Sequence, residues 1–123
     1  MTMITSFNPQ RQSYMKYDNS HYILFLHEQE DEQINEQGEK IKGFTYTGPR
    51  PDGSTLIEAT GVTPENIRGK FIAGLIGTQY SYDDQIALLA NGEDSEEHSK
   101  ELANFMKARN DAKKAVDELL TRC

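Results

Sequence analysis

The chain is expected to fold as an α+β domain: a small antiparallel sheet of about three strands, then a helix and a C-terminal helical hairpin. Two observations carry this expectation. Before residue 60 the apolar residues alternate or run continuously in short stretches, and after it they recur at helical spacing. Helix-start residues at Thr63-Pro64-Glu65, at Ser81 and at Asp94-Ser95 then divide the second half into three helices. Strands first and helices last is the α+β order.

Residues 1–14 are polar and aperiodic and read as a flexible arm ahead of a single domain over 15–123. Met1-Thr2-Met3-Ile4-Thr5 resembles the beta-galactosidase leader of cloning vectors, which admits a tag-derived arm with Met15 as the native start. Tyr22-Ile23-Leu24-Phe25-Leu26 is apolar on both faces, Tyr22, Leu24 and Leu26 pointing one way and Ile23 and Phe25 the other. It predicts a strand covered on both sides. Ile41 to Thr47 alternates Phe44 and Tyr46 with Thr45 and Thr47, the pattern of a half-buried strand. Gly48-Pro49-Arg50-Pro51-Asp52-Gly53 stacks turn formers, and Thr55 to Thr60 follows, so the two strands read as a hairpin with a long tip. A phosphate cradle at that tip through Arg50 is disfavoured, because prolines remove amide donors and the glycine spacing fits no P-loop.

From Thr63, a hydroxyl cap, Pro64 at the first helical position and the early acid Glu65 predict a helix ending near Gly77-Thr78. Its apolar side carries Ile67, Phe71, Gly74 and Leu75, and a second line of Gly69, Ala73 and Gly77 predicts close approach of another backbone. Ser81, with Asp84 three residues on, caps a second helix with Ile86, Leu89 and Ala90 on its inner side, stopped by Asn91-Gly92. The longest helix opens at Asp94 or Ser95 and reaches about Leu120, with a stripe of Leu102, Phe105, Met106, Ala112, Val116, Leu119 and Leu120.

The 123 residues hold 13 Lys and Arg against 20 Asp and Glu, a net charge of −7. That balance argues against general nucleic-acid binding. Six of the acids fall within residues 28–39, which have no base and one large apolar residue, Ile34, so the stretch reads as a solvated loop. Residues 40–82 carry five bases against three acids, which leaves room for an anionic ligand near Arg68, Lys70 and Arg109. No run approaches the ~18 apolar residues of a membrane span, and the N-terminus has no basic-then-apolar leader. Cys123, the one cysteine, cannot form an internal disulfide, which fits a reducing, cytoplasmic setting.

No catalytic set is legible. His21, His27 and His98 show no metal-ligand spacing, Cys123 is terminal, and no cofactor fingerprint occurs, so no enzyme activity and no cofactor are expected. A third-ranked reading is a small hydrolase using His27 and nearby acids. Arg109 interrupts the apolar stripe of the last helix. Either its stem packs while its head reaches water or an acid, or it binds an anion, with Phe71 supplying an aromatic face and Arg68 a second cation.

Tyr80 to Asn91, with Ala108-Arg109-Asn110-Asp111-Ala112-Lys113 in the following helix, resembles the closing hairpin of small bacteriophage and prophage accessory proteins, some of them tail-module proteins. This resemblance implies a non-enzymatic protein acting through self-association or partner binding, in the host cytoplasm or on the virion. A weaker resemblance is to the phage Thoeris anti-defence proteins. It implies a homo-oligomer that sequesters a cyclic ADP-ribose or other cyclic nucleotide with aromatic and Arg side chains, here Phe71 and Arg109.

Overall fold

A computed structural model describes residues 2–122 and shows six strands and three helices. The strands are β1 (Ile4–Asn8), β2 (Tyr14–Asp18), β3 (His21–Leu24), β4 (Gln29–Ile34), β5 (Lys40–Gly48) and β6 (Thr55–Glu58). The helices are α1 (Ile67–Gly77), α2 (Tyr82–Asn91) and α3 (Glu96–Leu120). The α+β class holds, but the strands form two antiparallel sheets of three, in the orders β1-β5-β4 and β2-β3-β6.

The run from Tyr22 to Leu26 behaves as its alternation predicts. Leu24 and Leu26 enter the larger core with Ile57, Phe71, Phe105, Val116 and Leu119. Ile23 and Phe25 face the other way and pack with Tyr46 of β5. This one segment therefore cements both sheets, with the Phe25 and Tyr46 rings edge to face at 5.4 Å.

Three strand expectations are corrected. The arm is not loose throughout, since Ile4–Asn8 pairs with β5 over Ile4↔Gly48 to Asn8↔Phe44. Main-chain hydrogen bonds need no apolar side chains, and Thr5 and Thr47 add a hydroxyl pair at 2.9 Å. Gly43 of β5 is required there, because a Cβ would lie 2.5 Å from the Asn8 carbonyl oxygen and 2.7 Å from the Phe7 ring. Nor is the acidic stretch a loop, since Gln29–Ile34 is an edge strand whose Glu32 sits opposite Lys42. Its turn is closed by Asn35, whose Oδ1 accepts from the amides of Gln37 at 3.0 Å and Glu39 at 2.9 Å, with Gly38 at φ +77°.

The third correction concerns pairing. β5 and β6 both exist, but β6 pairs with β3 and β5 pairs with β4 and β1. The turn between them moves the chain from one sheet to the other instead of closing a hairpin. It is held by Arg50 N–H to the Ser54 carbonyl at 3.1 Å and Gly53 N–H to the Arg50 carbonyl at 2.9 Å. A strand apolar on both faces, as β3 is, needs neighbours that bury it, and β6 supplies one.

Among the helices, α1 begins three residues later than expected. Thr63–Asn66 forms a turn of its own, with Thr63 N–H donating to Asn66 Oδ1 at 2.7 Å. The line Gly69, Ala73 and Gly77 is exposed, and nothing lies within 4 Å of a Cβ at either glycine. Close approach occurs at Gly74 instead, where a Cβ would stand 2.6 Å from the Glu58 carbonyl oxygen and α1 covers the β6 edge. α2 and α3 start where expected, Ser81 Oγ accepting from Asp84 N–H at 3.1 Å and Ser95 Oγ from His98 N–H at 3.0 Å. The inner side of α2 is Gln85 and Leu88, not Ile86, Leu89 and Ala90. Met106 of the α3 stripe is likewise exposed. Among the described residues no helix is long and apolar enough to cross a membrane.

Candidate functional site

The residues singled out for an anionic ligand are not gathered in one cleft. Phe71 is fully buried, with Tyr14 against it edge to face at 5.1 Å and Tyr22 tilted at 5.2 Å, so its ring is already occupied. Arg68 lies on the surface of α1 and binds Asp117 of α3 through Nε at 2.6 Å and Nη2 at 3.2 Å. The pair holds the Asp117 carboxyl below its ordinary range. Arg109 is half-buried on α3 and does not line the cleft between α3, the end of α1 and the segments after β3 and β5.

The histidines stand apart as well. His21 Nδ1 is 2.9 Å from Asp18, and His98 pairs with Asp94 across one helical turn, a hydrogen bond that raises its pKa. His27 is the one non-glycine among the described residues at positive φ, +58°. Among the described residues no three His, Cys, Asp or Glu side chains converge as a metal-binding group. Cys123 lies outside the described residues.

Sequence reasoning missed a buried ionic cluster. Arg122, just past α3, has a side chain 1% exposed and donates through Nη1 to the carbonyls of Gln12 at 3.0 Å and Phe25 at 2.6 Å. Its Nε and Nη2 reach the Glu118 carboxylate, and Nε lies 3.5 Å from Glu28. Glu28 also accepts from Arg11 Nη2 at 2.9 Å and from the Tyr46 hydroxyl at 2.8 Å. Burial pushes the Glu28 carboxyl up, but the hydrogen bonds from Arg11 and Tyr46 and the charge of Arg122 outweigh it, and the carboxyl titrates below its ordinary value. Burial pushes the Tyr46 hydroxyl up. Every charge in the cluster is paired, so it serves as a clasp between α3 and both sheets. No local pattern announces it, because its members are drawn from four separate segments, around residues 11–12, 25–28, 46 and 118–122.

Two surfaces remain unsatisfied. The first is on α2, which buries none of its residues and exposes Tyr82 (78%), Ile86 (51%) and Leu89 (59%). Their spacing puts them on one line of the helix. The second is an open cleft of about 800 Å³ between α3, the end of α1 and the segments after β3 and β5. Leu26, Leu56, Leu75, Ile76 and Ala112 give it an apolar floor, and His27, Arg50, Asn104, Lys107 and Asp111 a polar rim. Comparisons with protein-family models, with curated protein sequences and with solved structures returned no match.

Proposed function

We propose that the protein acts without catalysis, by pairing with a second copy of itself through α2. The observation that carries this reading is the exposed line Tyr82, Ile86 and Leu89 on a helix capped at both ends and therefore well formed without burial. Isolated exposed apolar residues are ordinary, but three in a row on one helix mark an interaction surface. The segment from Gln85 to Gly92 carries no charge, in a chain where 27% of residues are charged. Such a surface offers nothing to an acidic or basic partner and suits an apolar one. A two-fold pairing of antiparallel α2 helices sets Ile86 against Ile86 and Tyr82 against Leu89, and keeps Asp83 and Asp84 at opposite ends.

The setting we propose, a phage or prophage accessory protein in the host cytoplasm or on the virion, rests on residues 80–91 and 108–113 alone. Sedimentation velocity over a hundredfold concentration range tests the pairing. The wild type should dimerise, and the double variant Ile86→Lys, Leu89→Lys should stay monomeric with an unchanged circular dichroism spectrum. A wild type that is monomeric at every concentration would sink the proposal.

A further inference from the structure

The cleft between α3 and the two sheets has features that the pairing of α2 leaves unused. Three formally charged residues line it, Arg50, Lys107 and Asp111. Lys107 and Asp111 pair at 3.3 Å, both largely exposed, so Arg50 is the uncompensated charge of the rim, in a chain of net −7. Asp52, two residues on, has its carboxyl lowered by its hydrogen bonds from Ser54 and, to a lesser degree, by the charge of Arg50. Asp52 Oδ1 accepts from the hydroxyl and amide of Ser54, and no ion pair joins Asp52 to the Arg50 guanidinium among the described residues. The Arg50 guanidinium instead lies over the Tyr17 ring at 5.4 Å, and its Nε is buried with no acceptor among the described residues. Nε is already enclosed by the protein, whereas the two terminal nitrogens of the guanidinium are not buried and make no side-chain hydrogen bond among the described residues, so their N–H groups present the fork geometry suited to an oxyanion. On the same rim His27 is held at φ +58°, a conformation the surrounding chain must impose. Below the rim lie Leu26, Leu56, Leu75, Ile76 and Ala112, an apolar floor on the scale of a small-molecule site.

We infer that this cleft binds a small amphipathic anion, its oxyanion head on Arg50 and its apolar body along the floor between Leu56, Leu75 and Ala112. A carboxylate and a phosphate monoester share that head chemistry. Net positive rim charge, a guanidinium fork without a side-chain hydrogen bond and an apolar floor together favour such a ligand over a neutral lipid or a free inorganic ion.

Isothermal titration with decanoate, decyl phosphate, decan-1-ol and inorganic phosphate tests the assignment. At least one of the two charged amphiphiles should bind one per chain, and which of them binds tighter identifies the head. Decanol should bind at least ~10-fold more weakly for want of the charge-assisted hydrogen bond, and inorganic phosphate should not bind. Arg50→Gln should weaken the amphiphile at least ~10-fold. Because Arg50 also covers Tyr17, Ala108→Trp provides a second variant that fills the cleft from α3 without touching the turn, and it should abolish binding. Decanol binding as tightly as decanoate and decyl phosphate, saturable binding of neither anion, or full affinity retained by both variants would each overturn the inference.

Discussion

Replacing Arg122 with alanine removes the hub of the buried clasp, and the structure sets the size of the loss. Two carbonyls, those of Gln12 and Phe25, lose their side-chain donor in a place where the guanidinium itself is 1% exposed. An unsatisfied buried acceptor costs about 1–3 kcal/mol, and removing one member of a buried ion pair about 3–5 kcal/mol. The cost stays toward the lower figure, because Glu28 keeps Arg11 and Tyr46 and because Glu118, about half exposed, is rehydrated. We expect about 3 kcal/mol, or ~12 °C in Tm for a domain of this size. Urea unfolding followed by circular dichroism measures it, with Glu118→Gln as a comparison expected to lose under about 1 kcal/mol. If Arg122→Ala unfolds within about 1 kcal/mol of the wild type, the clasp does not hold α3 to the sheets and the reasoning fails.

Two glycines of α1 should respond to alanine in opposite directions. Gly69→Ala gains about 0.5–1 kcal/mol because its Cβ enters open space on a helix, whereas Gly74→Ala loses about 1–3 kcal/mol against the Glu58 carbonyl; thermal melts of the two variants check the sign. Tyr46→Phe deletes the hydroxyl that donates to Glu28 and accepts from the Gln12 amide, and should cost about 1–3 kcal/mol in urea unfolding. The carboxyls of Asp18, Glu28, Asp52 and Asp117 all titrate below their ordinary values in the folded chain. Their stabilisation is therefore complete above about pH 4–5 and is lost as pH falls below that range, which acid titration of Tm should show, Glu28→Gln reducing the slope. His98 has the opposite sign. Its pKa is raised by Asp94, so its contribution is whole below the ordinary imidazole value and fades as pH rises through the folded one, a slope that His98→Gln should remove.

What could be read in the sequence depended on whether side chains or main chain decide the structure. Tyr22–Leu26 was legible because each of its faces must be buried, and each enters its own core. The caps at Ser81 and Ser95 were legible because a hydroxyl three residues ahead of a free amide is a local device. β1 and β4 were not, because edge strands earn their place by hydrogen bonds to β5, to which Thr, Ser, Gln and Glu contribute as well as Val would. α2 holds Ile86, Leu88 and Leu89 within four residues, which fits more than one inner face, and packing on α3 chose the Leu88 side. The candidate site divides in the same way. Phe71 is an aromatic on an apolar helix face and became core, while Arg50 sits in a turn whose prolines and glycine spacing argue against a ligand role, so nothing in the sequence signals it. Glu28, Tyr46 and Arg122 meet only through the tertiary fold, so nothing near any one of them in the chain predicts the others.

The clasp also bears on the order in which the chain assembles. The β4–β5 pair closes on a short turn and can form early, whereas β1 must wait for β5 to exist, some 40 residues on. Arg122 reaches Gln12 and Phe25 across separations of 110 and 97 residues, so its bonds form only when both sheets and α3 are already placed. Contacts absent from the folding transition state govern escape from the native state more than entry into it. The buried arginine is therefore a brake on unfolding: its loss should leave the refolding rate nearly intact and show itself as a shortened lifetime of the folded chain.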